Sequence, residues 1–313
     1  MKAKQFFAIT ALGAALFASC SNQEELETGS YPSDNLIRVT AGVNNDMTRS
    51  DEAVTPTSLT QNFSLTVVNN TNDKFSYANE IFSLNGGTEW SCSNKLLWQN
   101  LTTSVEIVAL YPATKDNTFD GVYSKENKSY GTITYGVKSD QSTPDEANDL
   151  LLYHNANFKP EKDLENGKLN IEFKHAFCRV DIEVTIGSEF NTTDGLAANP
   201  IQGISVGGTQ IAADISFASA ETTITAKGDA TSITPTPGDF TKAANATAKA
   251  VARYSCIVIP QTADLKVLLH TSDREFEWTG SQMTLESGKQ YTLQLNMTKK
   301  SATARKFILR ERK

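Results

Sequence analysis

Histidine and cysteine are scarce in this chain, three and four residues among 313. No CxxC occurs and no two histidines stand at metal-ligand spacing, so the donor sets of the common zinc sites are missing. Positive charge is also short. Twenty-nine Lys and Arg face 36 Asp and Glu, for a net charge of −7. An acidic chain repels a phosphate backbone and argues against a nucleic-acid partner. Beyond the first twenty residues no apolar run approaches the length that spans a bilayer. Helical patterning is absent too, because no i, i+3, i+4, i+7 stripe is sustained for three turns.

Catalytic motifs are imitated rather than present. Gly203-Ile204-Ser205-Val206-Gly207 matches GxSxG. A nucleophile elbow needs a strand before the serine and a helix after it. Here Gly208 and a further strand-like stretch, 209–217, follow, which favours a Gly-rich β turn. Asp116-Asn117-Thr118-Phe119-Asp120-Gly121 opens like a calcium loop. Thr118 stands where a carboxylate or amide is wanted, and Asn127 takes the place of the bidentate glutamate. There is no P-loop or dinucleotide fingerprint, and no segment singles out a pair of carboxylates for glycoside hydrolysis. No catalytic residue, metal ligand or cofactor is assigned, and the chain reads as a protein that is not an enzyme.

What is present begins with an export address. Lys2 and Lys4 precede an apolar, small-residue-rich run at 6–18 that ends in Phe17-Ala18-Ser19-Cys20. The run is too short for a membrane helix and reads as a secretory signal of 1–19. Small residues before a cysteine suit lipoprotein processing, with Cys20 acylated and anchored in a membrane. Ser21-Asn22-Gln23-Glu24-Glu25-Leu26-Glu27 then begins an acidic tether, 20–35, that cannot build a core. Loss of Lys2 and Lys4 takes the net charge from −7 to −9.

The remainder reads as short strands. Ile37, Val39, Ala41 and Val43 alternate onto one face, and Phe63, Leu65 and Val67 repeat the pattern. Further strands are read at 75–84, 105–111, 131–137, 169–173, 177–186, 201–206, 254–259, 265–270, 275–278 and 291–297. The strand at 105–111 is expected to stop at Pro112, which lacks a ladder donor. A helical turn or two is allowed at 146–154, and 191–250, rich in Thr, Ala and Gly, is expected to hold long loops. Short strands with turn residues between them specify an all-β chain. Its length suffices for two cores, 36–175 and 176–313, with the boundary read near Phe173-Lys174-His175. Cys178 and Cys256 fall among apolar strand residues and read as buried thiols, with a bridge between them as the alternative.

Seven segments, in order, resemble the fimbrillin family of Bacteroidota, the building blocks of type V pili. They are 36–43 followed by Thr48-Arg49; Glu89-Trp90 with Leu97-Trp98-Gln99; Ala109-Leu110-Tyr111-Pro112; Asp149-Leu150-Leu151; Phe173-Lys174-His175-Ala176-Phe177; Ile257-Val258-Ile259-Pro260-Gln261-Thr262; and Gly288-Lys289-Gln290-Tyr291-Thr292-Leu293. The resemblance implies two transthyretin-like β-sandwich domains in tandem and assembly by strand exchange. An arginine-specific protease would cut after Arg49, and the strand bearing Ile37, Val39, Ala41 and Val43 would be displaced. The C-terminal tail around Phe307, Ile308 and Leu309 would fill a neighbouring subunit. It further implies a structural and adhesive fimbrium subunit on the cell surface, anchored to the outer membrane through lipid on Cys20. The acidic tether resembles the matching export signal, and the partners are other fimbrillin subunits, in a homo- or hetero-polymer. The tail departs from the pattern, because Phe307-Ile308-Leu309 is its one solid apolar patch and it alternates poorly. Stalk, tip and basal places therefore stay open. The alternative is a monomeric surface lipoprotein that stacks glycans on Trp90, Trp98 and Trp278.

Overall fold

The structure, a computed structural model, describes residues 31–43, 59–86, 89–113, 119 and 121–312. Its first half carries β1 (Val39–Val43), β2 (Asn62–Val68), β3 (Tyr77–Asn85), β4 (Glu89–Ser91), β5 (Val105–Ala113), β6 (Tyr123–Ser124), β7 (Ser129–Tyr130), β8 (Thr132–Gly136), β9 (Leu151–Phe158), β10 (Leu164–Glu165) and β11 (Lys168–His175). The second carries β12 (Cys178–Ile186), β13 (Gly203–Gly207), β14 (Gln210–Ser216), β15 (Thr223–Ala230), β16 (Thr236–Thr241), β17 (Ala250–Val258), β18 (Gln261–His270), β19 (Glu275–Leu285), β20 (Lys289–Met297) and β21 (Ala302–Glu311). The one α-helix among the described residues is a single turn, Pro160–Asp163.

In the first half the ladder runs β1-β4-β3-β2-β5-β9-β11-β10, and β1 also pairs with β11, so the strands close on themselves. The closed wall encloses Phe63, Leu65, Trp90, Trp98, Ile107, Leu169 and Phe173, in a cluster drawn only from residues 37–173. In the second half a five-stranded sheet, β16-β17-β12-β20-β21, accompanies two three-stranded sheets, β13-β18-β19 and β15-β14-β8. β12 lies between an antiparallel β17 and a parallel β20, and its Cys178, Val180, Ile182, Val184 and Ile186 alternate into the second core.

β5 explains why its sequence is apolar at successive positions rather than alternate ones. Ile107, Ala109 and Tyr111 face the first cluster, while Val108 and Leu110 face the second. A strand covered on both sides loses the half-buried alternation. β8 likewise crosses between halves, because Thr132–Gly136 pairs with Gly136↔Ala212 through Thr132↔Ser216 on β14.

Two local expectations are corrected. β5 runs through Pro112 to Ala113. Ser64 faces Leu110 while Asn62 faces Ala113, so Tyr111 and Pro112 share the span opposite Phe63. This bulge removes the need for a proline donor. The stretch 191–250 holds four strands, β13 to β16. Of these, β15 and β16 are obscured in the sequence, because both are largely exposed and need no strong apolar row. The turn allowed at 146–154 is present as a single 3₁₀ turn, Glu146–Asn148, before β9 begins.

Candidate functional site

The first candidate element is β1. Its inward residues Val39 and Ala41 are 5% and 1% exposed, Ile37 just before it continues the row at 8%, and Val43 is half-buried at the strand end. β1 runs parallel to β11 from Val39↔Leu169 to Val43↔Phe173, and meets β4 at the single pair Val39↔Trp90. Before it, the Ile37 N–H donates to the Leu96 carbonyl at 3.0 Å, and the Trp98 N–H to Asn35 at 2.8 Å. The outward side chains are tied locally. Arg38 donates twice to Asp34, at 2.9 and 2.6 Å, and this guanidinium lowers the Asp34 carboxyl to about 2. Thr40 Oγ1 lies 3.1 Å from Asn170 Oδ1.

β1 is therefore a staple inside the wall rather than an added edge. Its removal would part β4 from β11 and uncover the Phe63 cluster. There Phe63 stacks on Phe82 at 5.2 Å and meets Trp90 edge-on at 4.8 Å. Cys20 and Arg49, the expected lipidation and processing residues, lie outside the described residues. So does most of the loop at Asp116-Asn117-Thr118-Phe119-Asp120-Gly121.

The second element is the tail. β21 pairs antiparallel with β20, from Met297↔Ala302 to Lys289↔Glu311, and so forms an outer strand of the five-stranded sheet. Leu295 faces Ala304 while Gln294 faces Lys306, a bulge at position 305. The slip is what hides the strand in the sequence. Ala302 and Ala304 share the core-facing row, the phase shifts by one, and Phe307 and Leu309 continue that row. Phe307 stacks on Tyr291 at 5.3 Å and packs against the second core. Leu309 remains 52% exposed, and Ile308 lies half-buried on the opposite face. Counting alternation with one allowed slip would have found this strand.

Other singled-out residues are dispersed. Trp90 and Trp98 are core side chains, 7% and 2% exposed, while Trp278 lies half-buried on β19 against Gly280. Two of the three rings proposed for a glycan platform therefore have no open face. Cys178 faces Val258 and Cys256 faces Val180, both as free buried thiols. The Gly203–Gly207 pentapeptide is β13 itself, and the turn comes at Gly208, with φ of +86°. Ser205 thus sits in a ladder opposite Leu268. His154, His175 and His270 each face a different carboxylate, Glu106, Asp149 and Glu275. Among the described residues no three His, Cys, Asp or Glu come together as a metal site.

The architecture has known counterparts. A candidate cell adhesion protein from Bacteroides ovatus superposes with a TM-score of 0.59 at 14% identity, over 91% of this chain and 99% of that one. A candidate cell adhesion protein from Bacteroides uniformis gives 0.58 at 15% identity, over 88% and 98%. A fimbrial protein from Bacteroides vulgatus gives 0.52 at 12% identity, over 88% and 99%. At such identities the likeness shows a shared fold. Comparison with curated proteins found no match. The fimbrillin-like family model matches residues 45–307, most of the chain, and this chain therefore belongs to the fimbrillin-like family.

Proposed function

We propose that this protein is a lipid-anchored subunit of a surface fimbria, built of two transthyretin-like sandwiches and assembled by strand exchange. The first sandwich is drawn from 36–175 and the second from 176–313, with β8 of the first stretch joining the sheet of the second. Lipid on Cys20 holds the subunit to the outer membrane, and an arginine-specific protease cuts after Arg49. Cleavage frees β1 from the rest of the chain, leaving it bound by its ladder and by Ile37, Val39 and Ala41. A strand from another subunit then takes its place between β4 and β11, satisfying the exposed amides and the apolar slot together. The tail β21, with Phe307, Ile308 and Leu309, is the donor.

The observation that carries the reading is the position of β1. A strand of five residues closes the wall, with apolar side chains inward on one side of the processing loop. Two variants test it. Arg49→Ala should give an uncut, folded monomer. Deletion of 304–313 should give a protein that is cut but donates no strand. Mixed, the two should complement in one direction only, as read by laddering on denaturant-free gels. Polymerisation of the tail deletion at the wild-type rate would remove β21 from the donor role.

A further inference from the structure

Three segments singled out in the sequence meet at a point outside β1, the strand that plugs the first wall. Asp149 comes from Asp149-Leu150-Leu151, His175 and Phe177 from Phe173-Lys174-His175-Ala176-Phe177, and Gly288 from the start of Gly288-Lys289-Gln290-Tyr291-Thr292-Leu293. Backbone and hydroxyl bonds tie them together. The Ala176 N–H donates to Leu150 at 2.8 Å, the Gly288 N–H to Phe177 at 3.3 Å, and Ser287 Oγ to the Ala176 carbonyl at 2.7 Å.

Into this knot reaches Arg312, the residue that follows β21. Its guanidinium donates to Asp149 Oδ2 and, at 3.2 Å, to the Phe177 carbonyl, while its backbone N–H donates to Gly288 at 2.8 Å. The other oxygen of Asp149 lies 3.0 Å from His175 Nδ1. The Arg312 side chain is only 6% exposed. On the same strand Lys306 and Arg310 stand in solvent. Charged side chains on a strand normally stay hydrated, so selective burial of one cation needs specific partners. Burial lowers the Arg312 pKa, and Asp149 opposes that shift. The knot borders a cavity of about 500 Å³ at the junction of the two halves, also lined by Tyr111, Glu146 and Arg179.

We infer that Asp149, His175 and the carbonyls of Phe177 and Gly288 form a binding site for the arginine that ends the tail strand. In the monomer its occupant is the chain's own Arg312. The site fixes the far end of β21, while the 298–301 turn, closed by the Thr298 N–H donating to Ser301 at 2.8 Å, fixes the near end. A strand held at one end frays from the other, and one held at both opens only as a unit. Arg312 thereby keeps the tail in its own sheet. The consequence for assembly rests on reading β21 as the donor, but the site itself does not.

The test is hydrogen–deuterium exchange on the intact protein, comparing wild type with Arg312→Ala, Arg312→Lys, Asp149→Asn and the double variant that joins Arg312→Ala to Asp149→Asn. Loss of charge-assisted bonds from a buried group should speed exchange of the 306–311 amides by about tenfold to a hundredfold. The amides of β12 and β17 should keep their rates. Arg312→Lys should fall between, since an ammonium lacks the planar fork, and it preserves the fold if the alanine variant does not. The double variant should be no faster than the worse single one, because both changes empty the same site. Unchanged exchange in β21, equal acceleration in β12 and β17, or additive effects would each overturn the assignment. Assembly after loop cleavage is read separately. A loosened tail that does not speed polymerisation leaves this site standing and refutes the donor role of β21.

Discussion

Val39→Ala probes the plug strand β1 at the one position paired on both sides. Val39 is 5% exposed, lies opposite Leu169 on one side and is the one residue of β1 paired with β4, at Trp90. The substitution removes two methyl groups, worth about 1.6 kcal/mol of apolar burial at ~0.8 kcal/mol each. The aromatic wall of Phe63, Phe82 and Trp90 is stacked and collapses little, so a cavity contribution raises the cost to about 2 kcal/mol. That corresponds to about a 30-fold weaker hold on the strand. The assay is competition for the vacated slot, after cleavage, between two peptides of residues 31–49, one of natural sequence and one carrying Val39→Ala. The substituted peptide should need about thirty times the concentration to occupy half the sites. The same change made in the second core, Val184→Ala on β12, should lower the melting temperature without altering the competition. Equal affinity of the two peptides would refute the reasoning, since it would mean that the inward row of β1 does not hold the strand.

Two further outcomes follow. Burial raises the Cys178 thiol to about 12, and Cys256 is also pushed up, by burial and then by the neighbouring Cys178. Both should remain unmodified by a thiol reagent at pH 8 in the native protein and react fully once it is unfolded; native labelling of either would contradict their enclosure. Cys20→Ala should abolish acyl-chain labelling and release the protein from the membrane fraction, and persistence of label would refute the lipid anchor.

The sequence made the inward row at Ile37, Val39 and Ala41 legible because one face of β1 meets the core and the other meets solvent. It made β12 legible for the same reason, with alternation sustained through Cys178, Val180, Ile182, Val184 and Ile186. Legibility failed where that asymmetry fails. β15 is exposed along most of its length, so no apolar row marks it. β21 is marked, but a bulge breaks its period in the middle. The Arg312 site could not be read from spacing, since Asp149 and Arg312 are separated by 163 residues. Its one sequence trace is that the segments around Asp149, Phe177 and Gly288 were each distinctive without any evident local reason.

The plug and the tail are held unequally, and this bears on where the subunit stands in a fibre. β1 has five paired positions with β11 and one with β4, whereas β21 has nine with β20. In the proposed assembly, a cut in the loop would leave β1 without a tether to the sheet, and its loss would be diluted away. β21 remains joined through the short turn to β20 and recloses at high effective concentration. Tail release is thus the harder step for a subunit that donates. The slot left by β1 asks for apolar residues at strict period two, as Ile37, Val39 and Ala41 supply. Without a bulge the tail offers either Arg305 in line with Phe307 and Leu309, or Lys306 in line with Ala304 and Ile308. Each register sets a cation into an apolar row, where burying an unpaired charge costs several kcal/mol. In its own sheet the slip at 305 keeps Ala302, Ala304, Phe307 and Leu309 together and sends Lys306 to solvent. The tail consequently fits its home edge better than an unbulged slot. Under the proposed strand exchange, a subunit that accepts a strand readily and donates one reluctantly would suit an end of the fibre more than its repeating stalk.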